Sequence, residues 1–237
     1  MSESTLRIGL VLPDVMGTYG DGGNALILRQ RARMRSLNAE IVELTLDGDV
    51  PDSLDVYTLG GAEDAAQRLA TRHLSEHPGL QRAAEKGTPI LAICAAIQVL
   101  GHWYETSGGE RVSGISMFDV TTTPRETRAI GELITDPTLD GLTEPLSGFE
   151  NHRGATVLGS AAKPLGRVRH GVGNGASEAV EGVVQGSVIG TYMHGPLLAR
   201  NPEFADYLLS KAIGSELAPL DLPQVDRLRR ERLAVGR

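Results

Sequence analysis

Cys94 and His194 are the two residues whose side chains could together carry out nucleophilic chemistry. Cys94, the only cysteine of the chain, lies in T-P-I-L-A-I-C-A-A-I-Q-V-L-G (88–101), and His194 lies in G-T-Y-M-H-G-P one hundred residues later. A thiol attacks carbon as the thiolate, and an imidazole can stabilise that form and later protonate a leaving group at neutral pH. The pair therefore indicates covalent catalysis by a cysteine.

Cys94 also supports a second interpretation, because buried cysteines often fill a core as small apolar side chains. A thiol at a strand-to-helix turn is activated by the positive end of the helix dipole. Its position alone leaves both interpretations open, and His194 favours the nucleophile. Gly60-Gly61 adds a third requirement, since residues without side chains let N–H groups approach an oxyanion, with the Ala95 N–H as a second donor.

The predicted elements place these residues at one edge of a sheet. Apolar, β-branched runs alternate with helical segments in the first half of the chain, which predicts a mostly parallel sheet with helices on both faces. Loops that follow parallel strands open at a common edge. The predicted strands span 6–12, 39–44, 54–59 and 88–93, and the predicted helices span 24–37 (with Asn24 as its cap), 62–75, 80–86 and 95–104.

The second half of the chain reads as short, more antiparallel strands at 128–134, 155–158 and 187–192. A helix is predicted at 204–213, preceded by Asn201 as a cap and by Pro202 at the first helical position. The arginine-rich tail from Leu217 leaves a docked helix and a frayed end both open. We expect one domain over residues 1–216, followed by a charged tail over 217–237.

Composition narrows the class of protein. A net charge of −7 argues against a general nucleic-acid binder, and a single cysteine excludes an internal disulfide and fits a reducing compartment. The N-terminal M-S-E-S-T-L-R lacks the features of a secretory signal, and the longest apolar run, 90–97, is shorter than the roughly 18 residues typical of a membrane span. We expect a cytoplasmic protein.

Four further motifs carry a family resemblance. They are M-G-T-Y-G-D-G-G-N (16–24), L-G-G-A-E-D-A-A-Q (59–67), F-E-N-H-R-G-A-T (149–156) and Y-M-H-G-P-L-L-A-R-N-P (192–202). Together with the Cys94 turn, they resemble the class I (triad-type) glutamine amidotransferases and, within them, the cobyric-acid-synthase-related branch. The similarity is closest to the stand-alone GatD-type glutaminase subunits of lipid II isoglutaminyl synthase. It covers about residues 6–213 and implies a flavodoxin-like fold.

The resemblance implies a role for each candidate residue. Cys94 would attack the side-chain amide of glutamine, and His194 would protonate the departing ammonia and then activate water. Arg128 has a guanidinium suited to the substrate α-carboxylate, with a surface ion pair as the alternative. The N–H groups of Gly60, Gly61 and Ala95 would hold the oxyanion, and Gln98, Asn151 and His152 would join Arg128 in the substrate pocket, although His152 could equally be structural.

The resemblance also implies a partner. A Mur-ligase-like, ATP-dependent synthetase subunit would form a heterodimer with this chain and use its ammonia to amidate the D-glutamate of lipid II stem peptides to D-isoglutamine. No cofactor or metal is expected on this chain, whereas ATP and Mg²⁺ are expected on the partner. The lipid-linked acceptor of the partner would bring the complex to the inner face of the membrane.

Three other functions stay open. An amidotransferase acting on a corrinoid, as in cobyric acid synthesis, would normally carry its own synthetase domain. A non-catalytic binding module would tolerate replacement of Cys94 by alanine. A redox-sensing cysteine protein of the same fold would need neither Gln98 nor His194.

Two departures from the family pattern affect the catalytic residues. The turn around the nucleophile usually reads G-x-C-x-G, but here Ala92, Ala95 and Ala96 surround Cys94. Alanine is the smallest replacement, so we expect the turn to form. Triad members typically carry H-x-E, whereas Pro196 stands two residues after His194. We therefore expect either a Cys–His dyad or an acid from another chain, and our hypothesis is that the partner ligase supplies it.

Two motifs resemble sites that we do not expect here. T-Y-G-D-G-G-N (18–24) could cradle a phosphate, but it lacks the lysine of a phosphate loop, so we interpret it as a loop at the active-site edge. H-L-S-E-H (73–77) has the spacing of a zinc-binding helix. Pro78 follows it directly, and we predict a solvated helix end there.

Overall fold

The computed structural model describes residues 5–234 and contains a six-stranded sheet that carries the candidate catalytic residues. Its strand order is β2-β1-β3-β4-β12-β11. All neighbouring pairs are parallel except β11 with β12. The strands are β1 (Leu6–Val11), β2 (Ala39–Leu44), β3 (Val56–Leu59), β4 (Ile90–Ile93), β11 (Val183–Gln185) and β12 (Val188–Thr191). The order 2-1-3-4 is that of flavodoxin-like folds, which confirms the predicted fold class.

The central strands of this sheet are buried along their whole length. Every residue of β3, β4 and β12 is buried, as expected for parallel strands covered on both faces. The edge strand β2 is partly exposed. The helices are α1 (Gly23–Arg33), α2 (Asp64–Glu76), α3 (Gly79–Glu85), α4 (Ala95–Leu100), α5 (Leu197–Arg200), α6 (Pro202–Ile213) and α7 (Pro223–Ala234).

A second sheet is formed by the middle of the chain, which the sequence predicted only as short antiparallel pieces. It has the order β10-β9-β7-β5-β6, with β8 paired to β7. Its strands are β5 (Trp103–Glu105), β6 (Arg111–Ser113), β7 (Val120–Pro137), β8 (Leu146–Leu158), β9 (Gly166–His170) and β10 (Val180–Glu181). The register of β7 against β8 shifts between Pro124 and Ala129. This irregularity contains Arg128 and turns its segment away from the regular ladder.

The predicted limits of two helices are wrong, and the first of them ends at Arg33 rather than at about residue 37. The first helix begins at Gly23, and Asn24 lies within it, buried, where its Oδ1 accepts a hydrogen bond from the Leu198 N–H. The helix predicted at 95–104 ends at Leu100, because Gly101 is extended and is packed closely against Val120. Residues 103–105 instead form β5.

The helix after Asn201 forms as predicted, but Asn201 does not cap it through its side chain. Pro202 occupies the first turn, and Gly214 ends the helix in a left-handed conformation (φ 73°). The Asn201 side chain instead accepts from the Ser147 N–H and donates to the Ser147 carbonyl. It therefore joins the segment after His194 to strand β8.

The tail contains a docked helix rather than a frayed end, as far as Ala234. Arg229 of α7 is 9 % exposed and donates to the Arg200 carbonyl and to Asn201 Oδ1. No helix within residues 5–234 combines the length and apolar character needed to cross a membrane.

Glu181 is a fully buried carboxyl group beside the last strand of the parallel sheet. It accepts hydrogen bonds from Thr191 Oγ1 at 2.8 Å and from the Tyr192 N–H at 2.7 Å. Burial raises the pKa of Glu181 to about 7, against the effect of those hydrogen bonds. A group whose pKa is raised on folding binds more protons in the folded state, so stability falls as pH rises toward the folded pKa.

We predict that Glu181→Gln removes most of the pH dependence of stability between pH 4.5 and 7. The wild-type free energy of unfolding should fall by about 3 kcal/mol over this range, because one pKa unit corresponds to about 1.4 kcal/mol. The variant should be the more stable protein at pH 8. Urea unfolding at several pH values measures both, with the exposed Glu178→Gln as the control. Parallel pH profiles for wild type and Glu181→Gln would contradict the prediction.

Candidate active site

Cys94 lies at a tight turn between β4 and α4. Its backbone has φ 56° and ψ −109°, a conformation that L-residues rarely adopt and that is typical of nucleophile elbows. The Cys94 N–H donates to the Thr191 carbonyl at 2.7 Å, which fixes the turn to β12. Ala92, Ala95 and Ala96 are buried around it. The alanines that replace the usual glycines therefore fit, as predicted.

His194 follows β12, the strand next to β4. Thr191 is in register with Ile93, so Cys94 and His194 leave the sheet at the same edge. The His194 N–H donates to the Phe149 carbonyl at 2.8 Å, and the Phe149 N–H donates to the His194 carbonyl at 3.0 Å. His194 is 4 % exposed, and strand β8 holds its backbone in place.

Asp21 is the acid behind His194, and it belongs to this chain. Its Oδ1 and Oδ2 lie 2.9 and 3.1 Å from His194 Nδ1, and its carboxylate is buried. The expectation of a dyad or of an acid from another chain is therefore wrong, because the loop after β1 fills the place that Pro196 leaves without an acid. With Nδ1 donating to Asp21, Nε2 is left to act on Cys94.

The charge state of His194 depends on these two neighbours. Burial of the ring lowers its pKa, but the hydrogen bonds and charges of Asp21 and Cys94 outweigh that effect and raise the pKa of His194 to about 10. Nε2 is buried and makes no hydrogen bond of good geometry with the described residues, as is common for catalytic pairs before substrate binds.

Gly60 and Gly61 lie beneath the loop that carries Asp21. A Cβ on Gly60 would come within 2.2 Å of the Met16 carbonyl oxygen, so no side chain fits there. The Gly61 N–H donates to Asp21 Oδ2 at 2.9 Å. This bond departs from the predicted oxyanion role of Gly61, since its N–H is engaged in the structure. Ala95 opens α4, where the first N–H groups have no acceptor within the helix.

A cavity of about 240 Å³ opens beside Cys94. The four predicted substrate-binding residues line it together with the nucleophile, and they are Gln98, Arg128, Asn151 and His152. Arg128 Nε donates to Asn151 Oδ1 at 2.6 Å. Asn151 therefore orients the guanidinium, which reaches the cavity from the irregular segment of β7.

His152 is buried beneath the cavity rather than free within it. Its ring stacks on Tyr192 with centroids 3.8 Å apart, and its Nδ1 lies 3.2 Å from the Gly154 carbonyl oxygen. Burial lowers the pKa of His152 although Glu150 acts in the opposite direction. A neutral, stacked imidazole fits the structural interpretation of this residue.

Sequence reasoning missed Asp21, Tyr19 and Glu63. Tyr19 and Glu63 line the cavity, and the Tyr19 ring lies 4.9 Å from that of His194. Asp21 and Tyr19 belong to the T-Y-G-D-G-G-N loop, which follows a strand at the same edge as Cys94. That position is the sequence signal that could have identified Asp21 and Tyr19. The glycines of the same loop resemble a phosphate loop and do not indicate a catalytic acid.

The described residues provide no group of three or more side chains that could hold a metal ion. The helix with the H-x-x-E-H spacing ends at Glu76, before Pro78. The prediction of a solvated end is wrong for His73, which is buried, with its ring tilted by 33° against that of His77 and the centroids 4.4 Å apart. His77 Nδ1 pairs with Asp49. In the glycine-rich loop, the buried Asp21 carboxylate would repel a phosphate.

The arrangement as a whole suits acyl transfer. It combines a thiol on a strained turn, an imidazole oriented by a carboxylate, and N–H groups at the start of a helix. These are the parts needed to form and hydrolyse a thioester.

Residues 7–202 match the sequence profile of the CobB/CobQ-like glutamine amidotransferase domain. The chain is 36 % identical to the lipid II isoglutaminyl synthase (glutamine-hydrolyzing) subunit GatD of Staphylococcus aureus, over 93 % of this chain and 90 % of that protein. Its identity to the protein of the same name from Streptococcus pneumoniae is 33 %, over 88 % and 80 %. A probable cobyric acid synthase of Methanothermobacter thermautotrophicus is 34 % identical over 65 % of this chain but only 32 % of its own length.

Two solved structures share the fold. A crystal structure of a glutamine amidotransferase superposes with a TM-score of 0.56, at 17 % identity, over 86 % of this chain and 98 % of that one. The glutaminase domain of Trypanosoma brucei CTPS with bound acivicin superposes with a TM-score of 0.54, at 10 % identity, over 93 % and 98 %.

We predict that Asp21→Asn slows alkylation of Cys94 by iodoacetamide about ten-fold or more at pH 8. Without the carboxylate, the pKa of His194 should fall from about 10 toward its usual value of about 6.5, so the ring would be neutral at pH 8 and the thiolate would lose its counter-ion. Because Cys94 is the only cysteine, mass spectrometry of the whole chain reports this reaction directly. The exposed Asp47→Asn is the control, and an unchanged rate in Asp21→Asn would contradict the assignment.

Proposed function

The chain belongs to the CobB/CobQ-like glutamine amidotransferase family, and we propose from this that it is the glutaminase subunit of a lipid II isoglutaminyl synthase. The observation that carries the proposal is the Cys94–His194–Asp21 arrangement beside a cavity lined by Gln98 and Arg128. The similarity to the two GatD proteins over most of both chains supports the acceptor.

The reaction begins with attack of Cys94 Sγ on the side-chain amide carbon of glutamine. The carbonyl π electrons move to oxygen, and the N–H groups of Ala95 and Gly60 stabilise this oxyanion. His194 Nε2 gives its proton to the leaving nitrogen, the C–N bond breaks, and ammonia departs. A glutamyl thioester on Cys94 remains.

Hydrolysis of the thioester uses the same imidazole in its neutral form. His194 Nε2 takes a proton from water, whose oxygen attacks the thioester carbon. The C–S bond then breaks, glutamate leaves, and the thiolate is restored beside the imidazolium. Asp21 stabilises the imidazolium in both halves of the cycle and keeps Nε2 directed toward the reacting atoms.

The ammonia requires an acceptor that this chain does not itself provide. We propose that a Mur-ligase-like, ATP-dependent subunit binds this chain and receives the ammonia for amidation of the lipid II D-glutamate. ATP and Mg²⁺ would act on that subunit. The printed name of both GatD relatives describes them as subunits of a synthase, which supports a complex.

A corrinoid acceptor is supported less well by the lengths of the relatives. This chain spans 90 % of the Staphylococcus aureus GatD but only 32 % of the cobyric acid synthase. The match therefore extends over most of the GatD chains but over only about a third of the cobyric acid synthase.

We predict that the chain hydrolyses glutamine without its partner, because the acid that orients His194 is its own. Ammonia release from L-glutamine should be measurable with the purified chain and should fall below detection in Cys94→Ser. A glutamine-mimicking diazo ketone should label Cys94 alone. Undiminished hydrolysis in Cys94→Ser, or a label at another residue, would exclude the proposed mechanism.

Arg128→Lys should raise the KM for glutamine about ten-fold with a smaller change in kcat. Lysine keeps the positive charge but loses the planar pair of donors that a carboxylate binds. Steady-state kinetics measure the effect, with the exposed Arg72→Lys as the matched control. An unchanged KM would remove Arg128 from the substrate site.

A further inference from the structure

The hydroxyl of Tyr19 lies between two oppositely charged side chains of the cavity. It donates a hydrogen bond to Glu63 Oε1 at 2.5 Å and accepts one from Arg128 Nη2 at 3.2 Å. Burial, followed by the influence of Glu63, raises the pKa of Tyr19, so the hydroxyl keeps its proton at neutral pH. A single neutral group thus satisfies a carboxylate through its hydrogen and a guanidinium through its oxygen.

Arg128 uses the carboxylate-binding edge of its guanidinium for these contacts. Its Nε donates to Asn151 Oδ1, and its Nη2, on the same edge, donates to Tyr19. A carboxylate binds such an edge through two parallel N–H groups. A ligand carboxylate that binds both N–H groups of this edge would therefore have to replace the Tyr19 hydroxyl and Asn151 Oδ1.

Glu63 is the acidic side chain of the cavity that accepts the hydrogen bond from the Tyr19 hydroxyl. Asp64 and Glu105 also line the cavity. Asp64 Oδ2 already accepts from the Ser107 N–H at 3.1 Å and from Ser107 Oγ at 2.6 Å, and Tyr19 bonds to Glu63 rather than to Glu105. Loss of the Tyr19 hydroxyl would leave Glu63 available to a positively charged donor.

We propose that the Tyr19 hydroxyl holds the place of an α-amino acid head group, which displaces it by binding Arg128 through its carboxylate and Glu63 through its ammonium. The carboxylate of the head group is an acceptor for Arg128, and its ammonium is a donor to Glu63. The Tyr19 hydroxyl now provides the same acceptor and the same donor to these two residues. Tyr19 contacts both Glu63 and Arg128 at a solvent-exposed position, where single polar contacts are weak and readily exchanged.

This inference rests on the proposed glutaminase function and refines its specificity. Glu63 becomes the residue that selects a free α-ammonium, and Tyr19 becomes the residue that occupies Glu63 and Arg128 until substrate binds. The site would then accept free glutamine and discriminate against amides that lack either charged group.

The test compares Tyr19→Phe and Glu63→Gln with L-glutamine and with glutaramic acid, which keeps the carboxylate and the amide but lacks the ammonium. Tyr19→Phe should lower the KM for glutamine about two- to five-fold, with kcat changed less than about two-fold, because the hydroxyl then no longer competes for Arg128. Glu63→Gln should raise the KM for glutamine about ten-fold and leave the KM for glutaramic acid unchanged. Tyr207→Phe and the exposed Glu85→Gln are the matched controls.

An unchanged or higher glutamine KM in Tyr19→Phe would overturn the inference, as would equal KM changes for both substrates in Glu63→Gln. Calorimetric binding of glutamine to the same variants in a Cys94→Ser background separates this outcome from failure of the proposed function. If the predicted affinity changes occur without any hydrolysis by the wild-type chain, the head-group site stands and the glutaminase proposal fails. If the wild-type chain hydrolyses glutamine but the predicted affinity changes do not occur, the glutaminase proposal stands and the head-group site fails.

Discussion

The carboxylate of Asp21 is the contact on which the rest of the site depends. Its two oxygens accept hydrogen bonds from His194 Nδ1 and from the Gly61 N–H. A single side chain therefore joins the loops after β1, β3 and β12. Burying that charge is unfavourable unless it is paired and hydrogen bonded. The His194 imidazolium pairs with this charge, and the Gly61 N–H donates a hydrogen bond to it. The same contacts hold both groups at fixed positions near Cys94.

The two sheets supply different parts of the site. The parallel sheet presents Cys94 and His194 at one edge through the register of β4 and β12, which brings the two residues together. The antiparallel sheet supplies Arg128 and Asn151 from an irregular part of the β7–β8 hairpin. Substrate recognition can therefore change on the second sheet without moving the nucleophile.

The sequence was most informative where chemistry follows regular structure. Cys94 and His194 could be placed together because parallel strands end at a common edge, and alternation of strands and helices is visible in residue periodicity. Asp21 could not be placed beside them from the sequence, because the path of an irregular loop leaves no periodic signal. Arg128 was recognised through the family resemblance, but its contact with Tyr19 depends on a register shift that no local pattern of β7 reveals.

Pro196 shows how the chain compensates for the acid that it lacks after His194. Its ring lies against Gly23, where a Cβ would come within 2.3 Å of Pro196 Cγ, and the next turn is held by the bond from the Leu198 N–H to Asn24 Oδ1. Both contacts tie the start of α1 to the segment that carries His194. Since Asp21 lies just before α1, the segment with Pro196 helps to fix the loop that supplies the acid, so the proline and the aspartate both contribute to placing a carboxylate behind His194.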